Sequence, residues 1–370
     1  MTAEAIVRAG VRTAPARAVP GRGVPGALGE ARDLVLPAMR DAVARLDETD
    51  RRIVAYHLGW TDLAGSPTSG GGKGVRPALA TLSARAAGVS AEVGVPGAVA
   101  VELVHNFSLL HDDVMDGDTE RRHRPTVWAV WGTASAILAG DALLALAIEV
   151  LLGESTPHRA DAARLISETT RALIRGQTED LAFERRDDVG LAECLAMADG
   201  KTGSLLSASA AIGAVLAGAP AELVRALGRY GTELGMAFQL VDDLLGIWGD
   251  PARTGKPVYS DLRARKKSLP VTYAVAHGGA PGRELAAWLA RDGAAVNGTA
   301  NGTAENADAS DTELRRAAEL IEAAGGRGWA AEEADRRLGL AERALDSVPI
   351  DPGARDELLD IAHFVVAREA

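Results

Sequence analysis

The sequence predicts an all-α protein, on three observations. Alanine and leucine, both strong helix formers, dominate a hydrophobic fraction of 47%. Aromatic residues make up only 4% and β-branched runs are few, so the composition that strands prefer is missing. Apolar residues recur at helical spacing along most of the chain, and no strand signal, hairpin turn or repeat of fixed period stands out.

A length of 370 residues allows one large domain or two ordinary ones. The formal net charge of −11 argues against a nucleic-acid surface, yet leaves room for local anion binding where lysines and arginines cluster. One cysteine, Cys194, excludes an intramolecular disulfide, fits a reducing cytoplasm and reads as an ordinary helix residue. No uninterrupted apolar run is expected to span a membrane; the longest, 134–152, is broken by Gly140 and Asp141. Arg8 and Arg12 fall where a signal peptide needs its apolar core, so the sequons at Asn297 and Asn301 read as chance matches.

Residues 1–28 contain two Val-Pro-Gly repeats and resist helix formation. They are expected to be a disordered tail, either a solubilising leader or a docking or targeting peptide, ahead of one domain at 29–370. Leu34, Leu36, Met39, Val43 and Leu46 predict a helix over 30–46, and a second is expected over 49–58, capped by Thr49. Residues 69–77 form a glycine-rich turn into a helix over 76–88. It is not a Walker loop, because Gly74 follows Lys73 and the glycine spacing is wrong. Backbone N–H groups there, with Lys73 and Arg76, can cradle a phosphate, although the same pattern fits a flexible basic loop.

Helices are then expected over 95–117 and 127–138, from Gly140-Asp141 to 153, and over 158–187, 188–217 and 219–249. Within 188–217, Asp199-Gly200-Lys201-Thr202-Gly203 predicts close packing or a kink, since each mid-helix glycine costs roughly 1 kcal/mol. After Gly249-Asp250-Pro251 comes a basic loop with Arg253, Lys256, Arg263, Arg265, Lys266 and Lys267. Residues 292–311 read as a low-complexity insertion, and helices over 311–324, 328–346 and 352–369 complete the chain.

The helix at 95–117 carries Asp112, Asp113 and Asp116. Asp112 and Asp116 are four apart and share a face, with His105 close to the same stripe. Alone, such a cluster is more often a solvated acidic face. A second stripe, Gln239, Asp242, Gly246 and Asp250 with Asp243 at its edge, lies far down the chain. Two such helices facing one cavity could hold Mg2+ and a diphosphate, the cation sharing its coordination between carboxylates and phosphate oxygens. Arg121 and Arg122 add planar cations that match phosphate.

These motifs, in this order over residues 30–370, resemble the trans-isoprenyl diphosphate synthases, most closely the bacterial geranylgeranyl diphosphate synthases. The resemblance implies a single-domain bundle of ten or more helices around a deep central cavity, usually a homodimer. It implies Mg2+-dependent condensation of isopentenyl diphosphate with an allylic diphosphate. Asp112 and Asp116 would bind Mg2+ with the allylic diphosphate, and Asp242 the remainder of three ions, with Asp113 and Asp243 supporting. Lys73, Arg76, His105 and Arg122 would hold isopentenyl diphosphate. Arg121, Lys201, Lys256 and Lys266 would grip the allylic diphosphate, and Lys201, Thr202 and Gln239 would flank the developing cation. Gly246 departs from the pattern, since many relatives carry a third aspartate there; Asp250 is therefore doubtful as a ligand.

Product length should follow cavity depth below Asp112. Ser108 lies one turn before Asp112 and leaves space, whereas Phe107 falls off that stripe and is assigned to the tunnel floor by the resemblance. One aromatic beside a small residue goes with a C20 product in that family, and C15 is the second expectation. Two other readings require different motifs. A class I terpene synthase would carry an Asn/Ser/Glu triad in place of the second aspartate motif. A noncatalytic subunit of the same fold would be expected to have lost aspartates or the Lys73/Arg76 pair.

Overall fold

The computed structural model describes residues 24–68, 72–251, 257–290 and 309–367. Residues 1–23 of the expected tail, and 292–308 of the expected insertion, lie outside these. Helix α1 (Gly26–Val43) begins before the expected start near residue 30, because Ala27 and Leu28 are buried against the core. Helix α2 (Glu48–His57) follows with Asp47 at its N-cap position, so Thr49 lies inside the helix and caps nothing.

The bundle continues with α3 (Val75–Ala86) and, after a 3₁₀ turn at Ala91–Gly94, α4 (Val95–Met115). Next come α5 (Val127–Trp131), α6 (Thr133–Leu152), α7 (Pro157–Glu184) and α8 (Leu191–Ala198). A π-helical turn, Asp199–Gly203, leads into α9 (Ser204–Leu216) and α10 (Ala221–Trp248). The remainder is α11 (Ser260–Arg263), α12 (Leu269–His277), α13 (Gly279–Ala290), α14 (Asp311–Ala323), α15 (Gly326–Asp346) and α16 (Pro352–Val366).

Helix α9 is the axis of the bundle. Nearly all of it is buried, and it packs on α3, α4, α7 and α10. A helix apolar all round can be accommodated only in this way. Around it, α4 and α10 each carry one of the aspartate stripes, while their other faces carry core residues such as Leu103, Leu110, Leu234 and Leu240.

Three expectations are corrected. The helix foreseen over 127–138 breaks at Gly132, whose φ of 85° suits glycine and ends α5. Gly140 and Asp141 consequently lie inside α6 and do not interrupt it. By length and composition Thr133–Leu152 and Ala91–Met115 are each long and apolar enough to cross a membrane. The second is mostly buried at the bundle centre, whereas α6 leaves Ile137, Leu138 and Leu152 exposed. Finally, a two-residue hairpin, β1 (Glu120–Arg121) with β2 (Arg124–Pro125), was not foreseen. Helices α12 and α13 occupy a stretch to which the sequence analysis assigned no element.

Candidate active site

A cavity of about 600 Å³ opens between α3, α4 and α10. Its walls bring together Lys73, Arg76, His105, Arg122 and Asp242, five residues singled out from three distant parts of the sequence. A smaller recess nearby is lined by Lys201, Gln239, Asp243 and Lys266, together with Asp180. Lys256 lies outside the described residues.

Each wall has a local cause. Gly74 takes a left-handed φ of 71° and turns the glycine-rich segment into α3, which starts with Arg76 in its first turn. Arg76 is half-buried and its Nε has no partner. Burial weakens its hold on its proton, and the Glu102 carboxylate partly offsets this. Burial also keeps His105 neutral, well below the usual imidazole range, with Arg76 and Arg122 acting in the same direction. An unfilled guanidinium and a neutral imidazole among cations are suited to an anion.

Arg122 is placed by backbone geometry. It and His123 form the hairpin turn, both left-handed with φ of 53° and 60°. Two consecutive positive-φ residues characterise the turns whose twist matches a tight hairpin. Strain of this kind in non-glycine residues clusters at functional sites. Neighbouring Arg121 turns the other way. Its Nε donates to Asp113 Oδ1 at 2.6 Å, and it lines neither cavity.

The carboxylates of α4 are crowded. Burial raises Asp112 to about 6, with Asp116 and Asp180 adding to the shift and Lys201 and Arg121 opposing it. Burial raises Asp116 as well, with Asp118 and Asp180 adding their charge. Asp113 is buried, and its Oδ2 has no partner. Across the recess, Asp243 is pushed up to about 7 by burial; its oxygens accept from Gln239 Nε2 at 2.8 Å and Leu269 N at 2.9 Å. Burial disfavours the Lys266 charge, but the carboxylates of Asp243, Asp261, Asp180 and Asp242 hold it protonated, above the ordinary lysine range.

The crowded carboxylates of Asp112 and Asp116 on α4 fit a hard divalent cation. Among the described residues no group of three acidic, imidazole or thiol ligands forms a ready-made cage. An ion here would therefore share its coordination with phosphate oxygens and water, as Mg2+ commonly does.

The kink foreseen around Lys201 is the π-helical turn. Such turns are frequent at functional sites. It carries Lys201 to within 2.5 Å of Asp180 Oδ2, and Thr202 Oγ1 donates to Gln239 Oε1 at 2.7 Å. The turn is held by close backbone approach: a Cβ built on Gly176 of α7 would lie 2.3 Å from Lys201 N. Phe107 and Ser108 are buried but line neither cavity. The Phe107 ring meets His111 edge-on at 4.8 Å, and Ser108 Oγ donates to the His105 carbonyl at 2.8 Å. Asp250 is exposed beyond the end of α10.

Three acidic cavity residues were missed: Glu102 and Asp261 in the larger cavity and Asp180 in the recess. Glu102 stands one turn before His105 on the same stripe, which was a usable signal. Asp180 follows Gly176 by four residues, but its link to Lys201 is tertiary and left no trace in spacing.

Residues 61–301 match the polyprenyl synthetase family model. The chain is 57% identical over 346 residues to the (2E,6E)-farnesyl diphosphate synthase of Mycobacterium tuberculosis, covering 93% of each chain. It is 42% identical to that organism's geranylgeranyl diphosphate synthase, covering 90% of this chain and 91% of that one. Among solved structures, the polyprenyl synthetase of Streptomyces coelicolor A3(2) superposes with a TM-score of 0.86 at 52% identity, covering 92% of this chain and 99% of that one.

Proposed function

The chain belongs to the polyprenyl synthetase family and is a trans-prenyltransferase; we propose that it condenses isopentenyl diphosphate head to tail with an allylic diphosphate, to a short-chain product. The observation that carries this reading is the convergence of Lys73, Arg76, His105, Arg122 and Asp242 on one cavity. Three cations and a neutral imidazole are suited to a diphosphate, and Asp242 places a carboxylate beside them.

Lys73, Arg76, His105 and Arg122 hold isopentenyl diphosphate in this reading. Asp112 and Asp116 of α4 and Asp242 of α10, with Asp113 and Asp243 behind them, hold Mg2+, on which the family depends. Mg2+ supplies the charge neutralisation that makes the allylic diphosphate a leaving group. Lys201 and Lys266 steady that diphosphate. Thr202 and Gln239, hydrogen-bonded to each other, present oxygen dipoles to the allylic cation. The isopentenyl double bond attacks this cation, and the departing diphosphate takes the proton then lost. The apolar walls from Leu206, Leu234 and Phe238 exclude water. Val130, Ile137, Leu138 and Ile174, exposed on α5, α6 and α7, are apolar residues that a homodimer interface would cover.

For product length, the relative named farnesyl diphosphate synthase favours C15. In this reading the buried Phe107 ring, which meets His111 edge-on, limits the growing chain. C20 is the second reading, favoured by small Ser108 beside a single aromatic. The test is a product assay with Mg2+, isopentenyl diphosphate and dimethylallyl, geranyl or farnesyl diphosphate in turn, with chain length read by mass spectrometry. C15 is expected to accumulate, and Phe107→Ala should lengthen it by at least one C5 unit. A cyclised hydrocarbon with no condensation would move the chain to the terpene synthases.

A further inference from the structure

Arg122 reaches the larger cavity from a hairpin of two residue pairs, Glu120 with Pro125 and Arg121 with Arg124. Both residues of its turn, Arg122 and His123, are left-handed. So short a two-stranded hairpin is marginal on its own, and strain in two non-glycine residues weakens it further. The surrounding structure must hold it.

Tyr56, at the end of α2, does so through three contacts on one buried side chain. Its hydroxyl donates to the Pro125 carbonyl at 2.8 Å. The Arg124 guanidinium lies over its ring, 4.1 Å from the centroid, and the Trp131 ring of α5 meets it edge-on at 5.0 Å. Arg124 Nη2 also donates to the Thr61 carbonyl at 2.7 Å, in the segment just after α2. Strand β2 is therefore fastened to the end of α2 at its two residues, directly after the turn. Strand β1 is fastened to α4 by the bond from Arg121 to Asp113. Arg122 thus stands beside an anchor on either strand. His57, next to Tyr56, acts with Arg121, Arg122 and Arg124, and burial keeps its imidazole neutral, so it adds no further positive charge there.

We propose that Tyr56 and Arg124 are positioning residues for isopentenyl diphosphate, holding the strained hairpin so that Arg122 faces the cavity. Neither lines the cavity, so both act through the backbone that carries Arg122. A turn released from α2 relaxes away from its left-handed conformation, and Arg122 must then be ordered again each time the anion binds. That cost falls on the affinity for one substrate and leaves the chemical step alone.

The role given to Arg122 rests on the isopentenyl-diphosphate reading above, and the experiment separates the two. Steady-state condensation is measured on the full chain at saturating Mg2+, varying isopentenyl and geranyl diphosphate in turn. Tyr56→Phe removes one hydrogen bond and keeps the ring. It is expected to raise KM for isopentenyl diphosphate about 10-fold, the equivalent of about 1.4 kcal/mol. The turnover number and KM for geranyl diphosphate should stay within about 2-fold of wild type. Arg124→Gln, which removes the contacts with the Tyr56 ring and Thr61, should act in the same direction. In an Arg122→Gln background Tyr56→Phe should add less than about 2-fold, because the side chain it positions is gone. Circular dichroism and urea unfolding report whether each variant folds. An unchanged isopentenyl diphosphate KM in Arg122→Gln overturns both the reading of the cavity and this role. A raised KM in Arg122→Gln, with wild-type values in Tyr56→Phe and Arg124→Gln, overturns the positioning role alone. So does a Tyr56→Phe penalty that persists in full without Arg122, or one that falls equally on both substrates, since either marks a general loosening of the fold.

Discussion

Replacing Gly176 by alanine separates packing from chemistry at the π-helical turn. The added Cβ would stand 2.3 Å from Lys201 N, 2.8 Å from Gly200 C and 2.9 Å from Lys201 Cα. Relaxed carbon contacts sit near 3.5 Å or beyond, so α7 and the turn must separate by about 1 Å. All three atoms are backbone and cannot swing aside. Overpacking of this kind costs about 1–3 kcal/mol, and the higher helix propensity of alanine returns up to about 1 kcal/mol. A net loss of about 1–2 kcal/mol is expected in urea unfolding. Because the turn carries Lys201 and Thr202, a shift of that size should also cut kcat/KM on the order of 100-fold. Gly29→Ala is the matched control: nothing lies within 4 Å of its Cβ inside α1, so it should gain up to about 1 kcal/mol and leave turnover unchanged. A Gly176→Ala enzyme with wild-type stability and turnover would refute the claim that contact with α7 sets the turn.

Two further outcomes concern His57, buried near Arg122, and Arg76 in the cavity wall. His57 is lowered to about 3 by burial, with Arg122, Arg121 and Arg124 adding to the shift. Its proton is taken up by the unfolded chain below the ordinary value of 6.5, so stability should fall as pH drops from 6.5 toward 3. At pH 5 this amounts to about 2 kcal/mol. His57→Gln should shrink the difference in urea stability between pH 7.5 and pH 5 by about that much; an unchanged difference would remove His57 from the acid limb. Arg76→Lys keeps the charge but loses the planar fork, and should raise KM for isopentenyl diphosphate about 10-fold while leaving KM for the allylic substrate near wild type. A change confined to the allylic KM would reassign the cavity.

The aspartate stripes were legible because a carboxylate repeated at helical spacing has a predictable face; Asp112 lies in the last turn of α4 with Asp116 at its C-cap, and Asp242 lies in α10. The kink at Lys201 was legible for a similar reason, since two glycines inside a helical pattern need a purpose. The hairpin was not. Its turn is built from Arg122 and His123, neither of which advertises positive φ as glycine or asparagine would. The break at Gly132 was missed because apolar residues continue through it, and the same continuity hid the fact that α6 runs unbroken past Gly140. Helices α12 and α13 follow a basic loop that drew attention to charge; Ser268 and Pro270 at the start of α12 were usable signals. Asp180 and Asp261 could not be found at all, because their contacts, with Lys201 and beside Gly246 respectively, are tertiary and leave no helical spacing.

The central claim is that α4 and α10 close on one diphosphate from opposite sides, and single-turnover condensation of isopentenyl with geranyl diphosphate tests it most directly. Asp112→Asn and Asp242→Asn, each confirmed folded by circular dichroism, should both slow the step by at least about 1,000-fold, roughly 4 kcal/mol of transition-state stabilisation. If either variant turned over within about 10-fold of wild type, the two stripes would not share one reacting diphosphate, and the account would be contradicted.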